Sequence, residues 1–473
     1  MLSNGNSIGL YTDHYELTMA QGYFLTGKHL QTACFDYFFR TLPYDGGFVT
    51  YAGLSSVLAL LKDFRFSDDD CYFLKNIGFK DNFLNYLRDF SFKATVTSAR
   101  EGEIIFPNEP ILRVEGNIIE AQLVETLFLN FLNFESLIAT KASRMRYAAG
   151  DRLLLEFGLR RSQGFGGIHA TKASISGGFD KTSNDYAAKL FDISVSGTMA
   201  HSWILSFPDE LTSFRAYAEL YPDECVLLVD TYDTIGSGIP NAITVAKELK
   251  NKGHNLLGVR LDSGDLAYLS RKSRKMMDDA GLQEVKIVAS NQLDEDIILS
   301  LLLQNAPIDI FGVGTSLVTG KPDAALDGVY KLSHFDGNDK LKVSENLGKM
   351  TLPGIKTIHR FINDDNEFEA DGISFVTEND YNTIHHPIEH KKSKNISRYK
   401  KEELLIPVMD NGILLYEQPK PDEIAAYNKE RLQQLPPEHK RFLNPHVYIV
   451  GISDQVLNTR NQLAKSILGH DLF

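Results

Sequence analysis

The chain has 473 residues, too many for one ordinary core, so two or three domains are expected, with a barrel allowed to run long as a single unit. Its 43% hydrophobic content and evenly scattered charge are those of a globular protein and exclude a disordered one. A net charge of −13 with no basic tail speaks against nucleic acid or an anionic membrane surface as a partner. Three widely spaced cysteines, Cys34, Cys71 and Cys225, form no CxxC pair, which argues against a structural zinc cluster and a disulfide framework. A reducing cytoplasm is the simplest setting. The opening Met-Leu-Ser-Asn-Gly-Asn has neither a basic nor an apolar region, so no signal peptide is expected. The most apolar stretch, Leu127 to Phe134, is interrupted by Asn130 and Asn133 and is far shorter than the ~20 residues of a membrane span.

Taken in chain order, the part up to residue 120 mixes short strands and helices. Lys93–Ala99 and Ile111–Val114 alternate as strands do, and Glu101–Pro110 carries the Gly and Pro of a turn region. Residues 120–149 place Leu123, Leu127, Leu129 and Leu132 at helical spacing and stop at Gly150. A regular rhythm then begins. Apolar runs at Leu153–Phe157, Val226–Val229, Leu256–Leu261, Val285–Ala289 and Ile308–Val313 read as strands. Helical patterns at Ala242–Lys250, Leu266–Ala280 and Glu295–Gln304 separate the later ones. Strand, polar loop and helix repeating at roughly 30 residues is the βα unit of a parallel sheet. Several such units make a (β/α) barrel, whose active site lies at the C-terminal ends of its strands. After about residue 330 the rhythm gives way to strands with polar turns such as Asp336–Gly337–Asn338–Asp339, then to helices near Asp422–Gln434 and Gln455–Leu468. The expected domains are therefore an N-terminal α/β part (1–120), a barrel (121–332) and a C-terminal region (333–473) that packs back against the first.

The chemically useful residues gather where the barrel strands end. The chain concentrates its cations between residues 139 and 172: Lys141, Arg144, Arg146, Arg152, Arg160, Arg161 and Lys172 stand against Asp151 and Glu156. Those from Lys141 to Arg152 read equally well as a solvated helix face. Arg160 and Arg161 follow an apolar strand and precede a Gly-rich turn, where a planar guanidinium suits a carboxylate or phosphate. His201 lies three residues after Thr198 in a small-residue segment. It is a general base, an anion ligand, a phosphoryl acceptor or a plainly structural imidazole. Arg260, Asp262 and Asp265 surround Gly264 at a strand end. The carboxylates fit Mg²⁺ or ribose hydroxyls, or they cap a helix, and a helix start is itself an anion site. Gly312, Gly314 and Thr315 form a short loop able to present backbone N–H groups to a phosphate.

Together these motifs carry a family resemblance. Tyr11-Thr-Asp-His-Tyr15-Glu-Leu-Thr-Met-Ala, Glu156-Phe-Gly-Leu-Arg-Arg161, Gly178-Phe-Asp-Lys-Thr-Ser183-Asn, Gly197-Thr-Met-Ala-His201-Ser, Val229-Asp-Thr-Tyr-Asp233, Val259-Arg-Leu-Asp-Ser-Gly-Asp265 and Gly312-Val-Gly-Thr-Ser316 occur in order over residues 11–332. In these the sequence resembles the nicotinate phosphoribosyltransferases, type II phosphoribosyltransferases.

The resemblance implies an α/β fold: an irregular (β/α) barrel beside an α/β sandwich domain built from the N-terminal region and part of the C-terminal one. It implies a cytoplasmic homodimer with shared sites and the first step of NAD synthesis from nicotinic acid. In that reaction nicotinate and 5-phosphoribosyl 1-pyrophosphate give nicotinate mononucleotide and pyrophosphate, with Mg²⁺ and coupled ATP hydrolysis. By motif, Tyr15 (from the other subunit) and Phe157 flank the pyridine ring. Arg160, Ser183, Thr198 and Arg260 shape the pocket and meet the carboxylate. His201 is phosphorylated by ATP, Asp262 faces ribose or Mg²⁺, and Gly314 and Thr315 hold the 5′-phosphate. Relatives that use nicotinamide carry an acidic residue where Ser183 stands, so Ser183 favours the acid over nicotinamide. Within the superfamily the alternative is a nicotinamide phosphoribosyltransferase; outside it, a metal-dependent (β/α)-barrel hydrolase using Asp230, Asp233, Asp262 and Asp265, and a non-catalytic nucleotide sensor, are the remaining readings. The absence of a His-rich ligand set speaks against the hydrolase, and the presence of His201, Arg160 and Asp262 against the sensor.

Overall fold

A computed structural model describes residues 7–344, 347–378, 380–389 and 391–470. The chain divides into two compact units. One holds residues 1–137, 325–419 and 426–473, the other residues 138–324 and 420–425. The sequence boundaries expected at 120 and 332 fall 17 residues before and 8 residues after these divisions. The first lies just inside a helix, because the helical run that crosses residue 120 continues far beyond it.

The second unit is built on a six-stranded sheet. Its strands are β1 (Leu153–Glu156), β2 (Lys181–Thr182), β3 (Val226–Leu228), β4 (Gly258–Leu261), β5 (Lys286–Ser290) and β6 (Ile310–Val313). They lie in the order β2-β1-β6-β5-β4-β3, and every pairing is parallel. The last strand therefore pairs with the first, which is the circular order of a (β/α) barrel. No pairing joins β2 to β3 among the described residues, so the ring is open there. Apart from β2, a Lys-Thr pair with its lysine exposed, the strands are short, mostly apolar and largely buried, as expected where helices cover a parallel sheet. The intervening helices start where the polar residues before each apolar pattern put them. Asp209, Asp265 and Asp294 each cap a helix, accepting from Thr212 N (2.8 Å), Tyr268 N (2.9 Å) and Ile297 N (2.9 Å).

The other unit contains three sheets, the smallest a two-stranded pair of Val49–Thr50 with Ile104–Ile105. The seven-stranded sheet is antiparallel throughout and runs Asn338–Asp339, Gly328–Phe335, Thr32–Phe39, Leu112–Asn117, Thr95–Ser98, Ile406–Asp410, Ile413–Leu414. N-terminal and C-terminal strands thus share one sheet. Asp336 (φ 50°) and Gly337 (φ 74°) make the tight turn between its first two strands, both residues left-handed as a two-residue hairpin requires. The six-stranded sheet runs Ser393–Asn395, Thr383–His385, Val450–Ile452, Phe368–Phe375, Lys356–Ile362, Lys400–Glu403. Arg360 in its Lys356–Ile362 strand is fully buried and pairs with Asp371 (2.6 Å) and with Glu103 (2.6 Å), which also accepts from Arg431 (2.9 Å). A buried charge cluster therefore ties residue 103 of the N-terminal region to the C-terminal one.

The helix expected over 120–149 is two helices, Ile118–Leu123 and Glu125–Ala149, broken at Val124. One expectation from the sequence is corrected by this pair. The run Ile118–Ala149 is long and apolar enough to cross a bilayer by length and composition, although Leu127–Phe134 alone is not. Of its most apolar window, 72% is buried within the protein, as in the core helix of a globular fold.

Candidate active site

The barrel strands deliver a connected set of side chains at their C-terminal ends. Arg260, on β4, is its hub. Nε donates to Ser290 Oγ on β5 (2.9 Å), one terminal nitrogen to Thr198 Oγ1 (2.8 Å) and the other to Asp262 Oδ1 (2.8 Å). Ser290 Oγ in turn donates to Asp262 Oδ1. Three of the five guanidinium N–H groups are thus committed, and the other two have no hydrogen-bond partner among the described residues. Arg260 Cζ also lies 5.5 Å from the centre of the Phe157 ring.

Phe157 continues β1, its N–H donating to Val313 O of β6 (2.7 Å). Its ring packs over Gly312. A Cβ there would sit 2.6 Å from the ring, so only glycine permits the close approach. Gly158 is constrained similarly, since a Cβ would come within 2.2 Å of Val318.

His201 opens the helix His201–Leu205. Its Nδ1 is 3.0 Å from Thr231 Oγ1 and its Nε2 3.8 Å from Asp262 Oδ2. Thr231 follows Asp230, which holds the next loop: Asp230 Oδ2 accepts from Asp262 N (2.9 Å) and Ser263 Oγ (2.6 Å). Asp230 Oδ1 is buried without a hydrogen-bond partner among the described residues. Such an atom is costly unless a bound group satisfies it.

The alternatives that the amino-acid sequence left open now separate. Asp265 is the helix cap and Asp262 is not. Lys141 and Arg144 are neither solvated nor anion-binding, because both are buried against Glu295, at 2.6 and 2.8 Å. Arg146 is held by Asp180 (2.5 Å) and Arg152 by Ile308 O (3.0 Å). Arg160 and Arg161, in the turn Leu159–Arg161, are exposed and form no ion pair among the described residues. They are the uncommitted cations of this stretch.

Phe157, Thr198, His201, Arg260 and Asp262 are therefore brought together through direct contacts or one bridging side chain. Ser183 joins through β1: its N–H (2.9 Å) and Oγ (3.3 Å) both donate to Glu156 O. Gly314 lies beside Phe157 O, and Thr315 is exposed at the start of the helix Thr315–Val318. Tyr15 belongs to the other compact unit. It is 47% exposed on the helix His14–Leu25, and its phenol shares a hydrogen bond with Glu125. Sequence reasoning did not single out Glu156, Thr231 or the role of Ser290. Glu156 left a signal: a carboxylate closing the apolar run Leu-Leu-Leu of a parallel strand has no reason to be there unless it is used.

Three family models match the chain. They describe the nicotinate phosphoribosyltransferase N-terminal domain (residues 10–133), the nicotinate phosphoribosyltransferase family (153–369) and the nicotinate phosphoribosyltransferase C-terminal domain (355–460). Among curated relatives, the nicotinate phosphoribosyltransferase of Bacillus subtilis is 43% identical over 468 residues, covering 97% of this chain and 95% of its own. That of Mus musculus is 33% identical over 510 residues, covering 94% and 95%. The crystal structure of human nicotinic acid phosphoribosyltransferase superposes with a TM-score of 0.85 at 32% identity, over 96% of this chain and 99% of that one. A nicotinate-nucleotide pyrophosphorylase from Pyrococcus furiosus shares the fold, with a TM-score of 0.71 at 24% identity over 90% and 95%.

Proposed function

The chain belongs to the nicotinate phosphoribosyltransferase family, and from that premise we infer that it joins nicotinate to the phosphoribosyl group of 5-phosphoribosyl 1-pyrophosphate, releasing pyrophosphate, in the salvage branch of NAD synthesis. The observation that carries the reading at the site is the hydrogen-bonded cluster of Arg260, Thr198, Ser290, Asp262 and His201 beside the Phe157 ring, with uncommitted Arg160 on the adjoining turn.

The residue roles follow from chemistry. Phe157 offers an aromatic edge or face to the pyridine ring. Arg160 donates to the nicotinate carboxylate, and the Ser183 hydroxyl joins it by turning its one proton from Glu156 O (3.3 Å) to the substrate, while Thr198 and the two spare N–H groups of Arg260 complete the pocket. An acid in place of Ser183 would repel that carboxylate, so the acid substrate is preferred to the amide. Gly314 and Thr315 lie where a 5′-phosphate fits. Tyr15, exposed four residues before the partly exposed Met19 on one helix face, supplies the second ring from the partner in a homodimer.

Mg²⁺ suits the acidic edge of the site. It binds through one or two carboxylates plus substrate phosphates and keeps its waters. Asp230, with its unsatisfied Oδ1, and Asp262 are the two carboxylates in place. No all-protein cage of three or more His, Cys, Asp or Glu exists among the described residues, and this mode of binding needs none. When bound, the metal offsets the charge building on pyrophosphate.

The pyridine nitrogen carries a free lone pair and attacks C1 without a general base, as pyrophosphate leaves from the opposite face. The protein's contribution is positioning and electrostatics. His201 is then available for coupling to ATP. Thr231 engages Nδ1, leaving Nε2 to accept the γ-phosphoryl group as ADP departs, with Asp262 beside it. Buried, unpaired Cys34, Cys71 and Cys225 fit a reducing cytoplasm.

The test is direct. Protein is mixed with nicotinate, phosphoribosyl pyrophosphate and Mg²⁺, with and without ATP, and nucleotides are separated by chromatography. Nicotinate mononucleotide is expected, faster with ATP, with little product from nicotinamide. The ATP effect should vanish in His201→Ala. Absence of mononucleotide from either base would sink the assignment.

A further inference from the structure

Glu156 closes β1 and is fully buried, yet no cation pairs with it among the described residues. An isolated buried carboxylate is expensive. Here it is met by hydrogen-bond donors instead, and those donors belong to the segments that border the nicotinate pocket. Oε1 accepts from Gly158 N, the residue that starts the turn carrying Arg160. Oε2 accepts from Thr182 Oγ1 (2.5 Å) and Thr171 Oγ1 (3.0 Å).

Both threonines lead to Asn184. Its N–H donates to Thr182 Oγ1 (3.0 Å) and its Nδ2 to Thr171 Oγ1 (3.0 Å). Asn184 also caps the helix Asp185–Phe191 through Ala187 N (3.2 Å). Ser183 stands between Thr182 and Asn184, with its own N–H and Oγ on the Glu156 carbonyl. One side chain thus fastens the residue on each side of Ser183 and the start of the Arg160 turn. The main-chain carbonyl of the same residue fixes the Ser183 backbone through its N–H (2.9 Å) and holds the hydroxyl more loosely (3.3 Å), free to turn its proton to a substrate.

We infer that Glu156 is a positioning residue for substrate choice: its carboxylate sets the placement of Ser183 and of the Arg160 turn, and so the fit of an acidic rather than an amide pyridine substituent. This rests on the reading that Ser183 and Arg160 meet the nicotinate carboxylate. The arrangement favours an acceptor-only group, because Gly158 N–H and the Thr182 hydroxyl, which already accepts from Asn184 N–H, donate one to each oxygen, while the Thr171 hydroxyl is shared with Gly167 O (3.0 Å). Glutamine at 156 would present an N–H₂ to a donor, leaving one arm unmade.

The test compares Glu156→Gln, Thr182→Val and Ser183→Ala with the parent enzyme. It measures KM and kcat for nicotinate, KM for phosphoribosyl pyrophosphate, the nicotinate-to-nicotinamide ratio of kcat/KM, and thermal stability. Glu156→Gln is expected to raise the KM for nicotinate about tenfold and to lower the nicotinate preference, with the KM for phosphoribosyl pyrophosphate within about twofold. Thr182→Val, which cuts one arm and leaves Glu156 in place, is expected to move the same parameters in the same direction by less. It carries the test if Glu156→Gln does not fold. A folded Glu156→Gln or Thr182→Val variant with parental nicotinate KM and preference overturns the inference, as does an equal loss toward both substrates. If Ser183→Ala leaves KM and preference unchanged, the reading of Ser183 itself fails and the inference falls with it. If Ser183→Ala shifts them and the other two variants do not, only the role of Glu156 is rejected.

Discussion

Single carboxylates in this protein are governed by what surrounds them, and two make the point. Glu16, at the start of the helix His14–Leu25, is wholly buried. Burial pushes its carboxyl up to about 7, against hydrogen bonds from Thr12 and Thr126 that favour the ionised form, and Glu125 adds to the rise. The folded state therefore holds this proton more tightly than the unfolded chain, whose value is 4.5. Stability linked to Glu16 is fully present below about pH 4.5 and is lost as pH rises through about 7. Denaturant midpoints of the parent and Glu16→Gln, measured from about pH 5 to about pH 8, should show the parent losing ground to the variant as pH rises. A pH-independent difference would contradict this assignment. Asp262 is the contrasting case: it is half-exposed and held by Arg260 and Ser290, with one oxygen turned to His201.

At the scale of the element, the strand-to-helix loops of the barrel unit separate scaffold from site within a few residues. Asp262 and Asp265 lie three positions apart. The first joins the polar cluster and the second caps the helix Leu266–Asp279 through Tyr268 N. Asp265→Ala should therefore cost about 1 kcal/mol of stability in chemical denaturation while leaving the KM for both substrates near the parent's. A large change in KM without a loss of stability would return Asp265 to the ligand-binding set. The elements themselves were largely legible. The apolar runs read as strands correspond to β1, β3, β4, β5 and β6 within one or two residues at each end. The helices between them do nearly as well. Strand β2 escaped because Lys181–Thr182 is too short to show any period. The break at Val124 escaped because an apolar residue at a helix end carries no punctuation.

At the scale of the whole molecule, residues far apart in sequence are joined by buried charge. Arg360, Asp371, Glu103 and Arg431 form a cluster inside one compact unit, with Tyr448 donating to Asp371 (3.0 Å). Removing Arg360 leaves Asp371 buried with the Tyr448 hydroxyl and no cation among the described residues, and Glu103 with Arg431 as its one remaining cation. Arg360→Ala is expected to destabilise the protein by about 3–5 kcal/mol, read as a fall in the denaturant midpoint. An effect below about 1 kcal/mol would show that water or rearrangement satisfies Glu103 and Asp371. The seven-stranded sheet makes the same point in backbone terms, since Thr32–Phe39 pairs with Gly328–Phe335.

What the sequence determined by itself was local. Apolar runs of strand length, helical spacing and capping residues act over a few positions, so their physics is written in the neighbouring letters. The ordered motifs added the family and a set of site residues. The tertiary structure alone decided which charges are structural and which are free. Lys141 and Arg144 read in sequence as a solvated helix face or as part of an anion-binding stretch, and they are neither because Glu295, 151 positions beyond Arg144, is folded against them. It alone placed Glu156 at the centre of the Ser183 and Arg160 segments. Whether a buried charge is satisfied depends on the three-dimensional set of donors around it, and in this chain those donors come from separate strands, turns and helices.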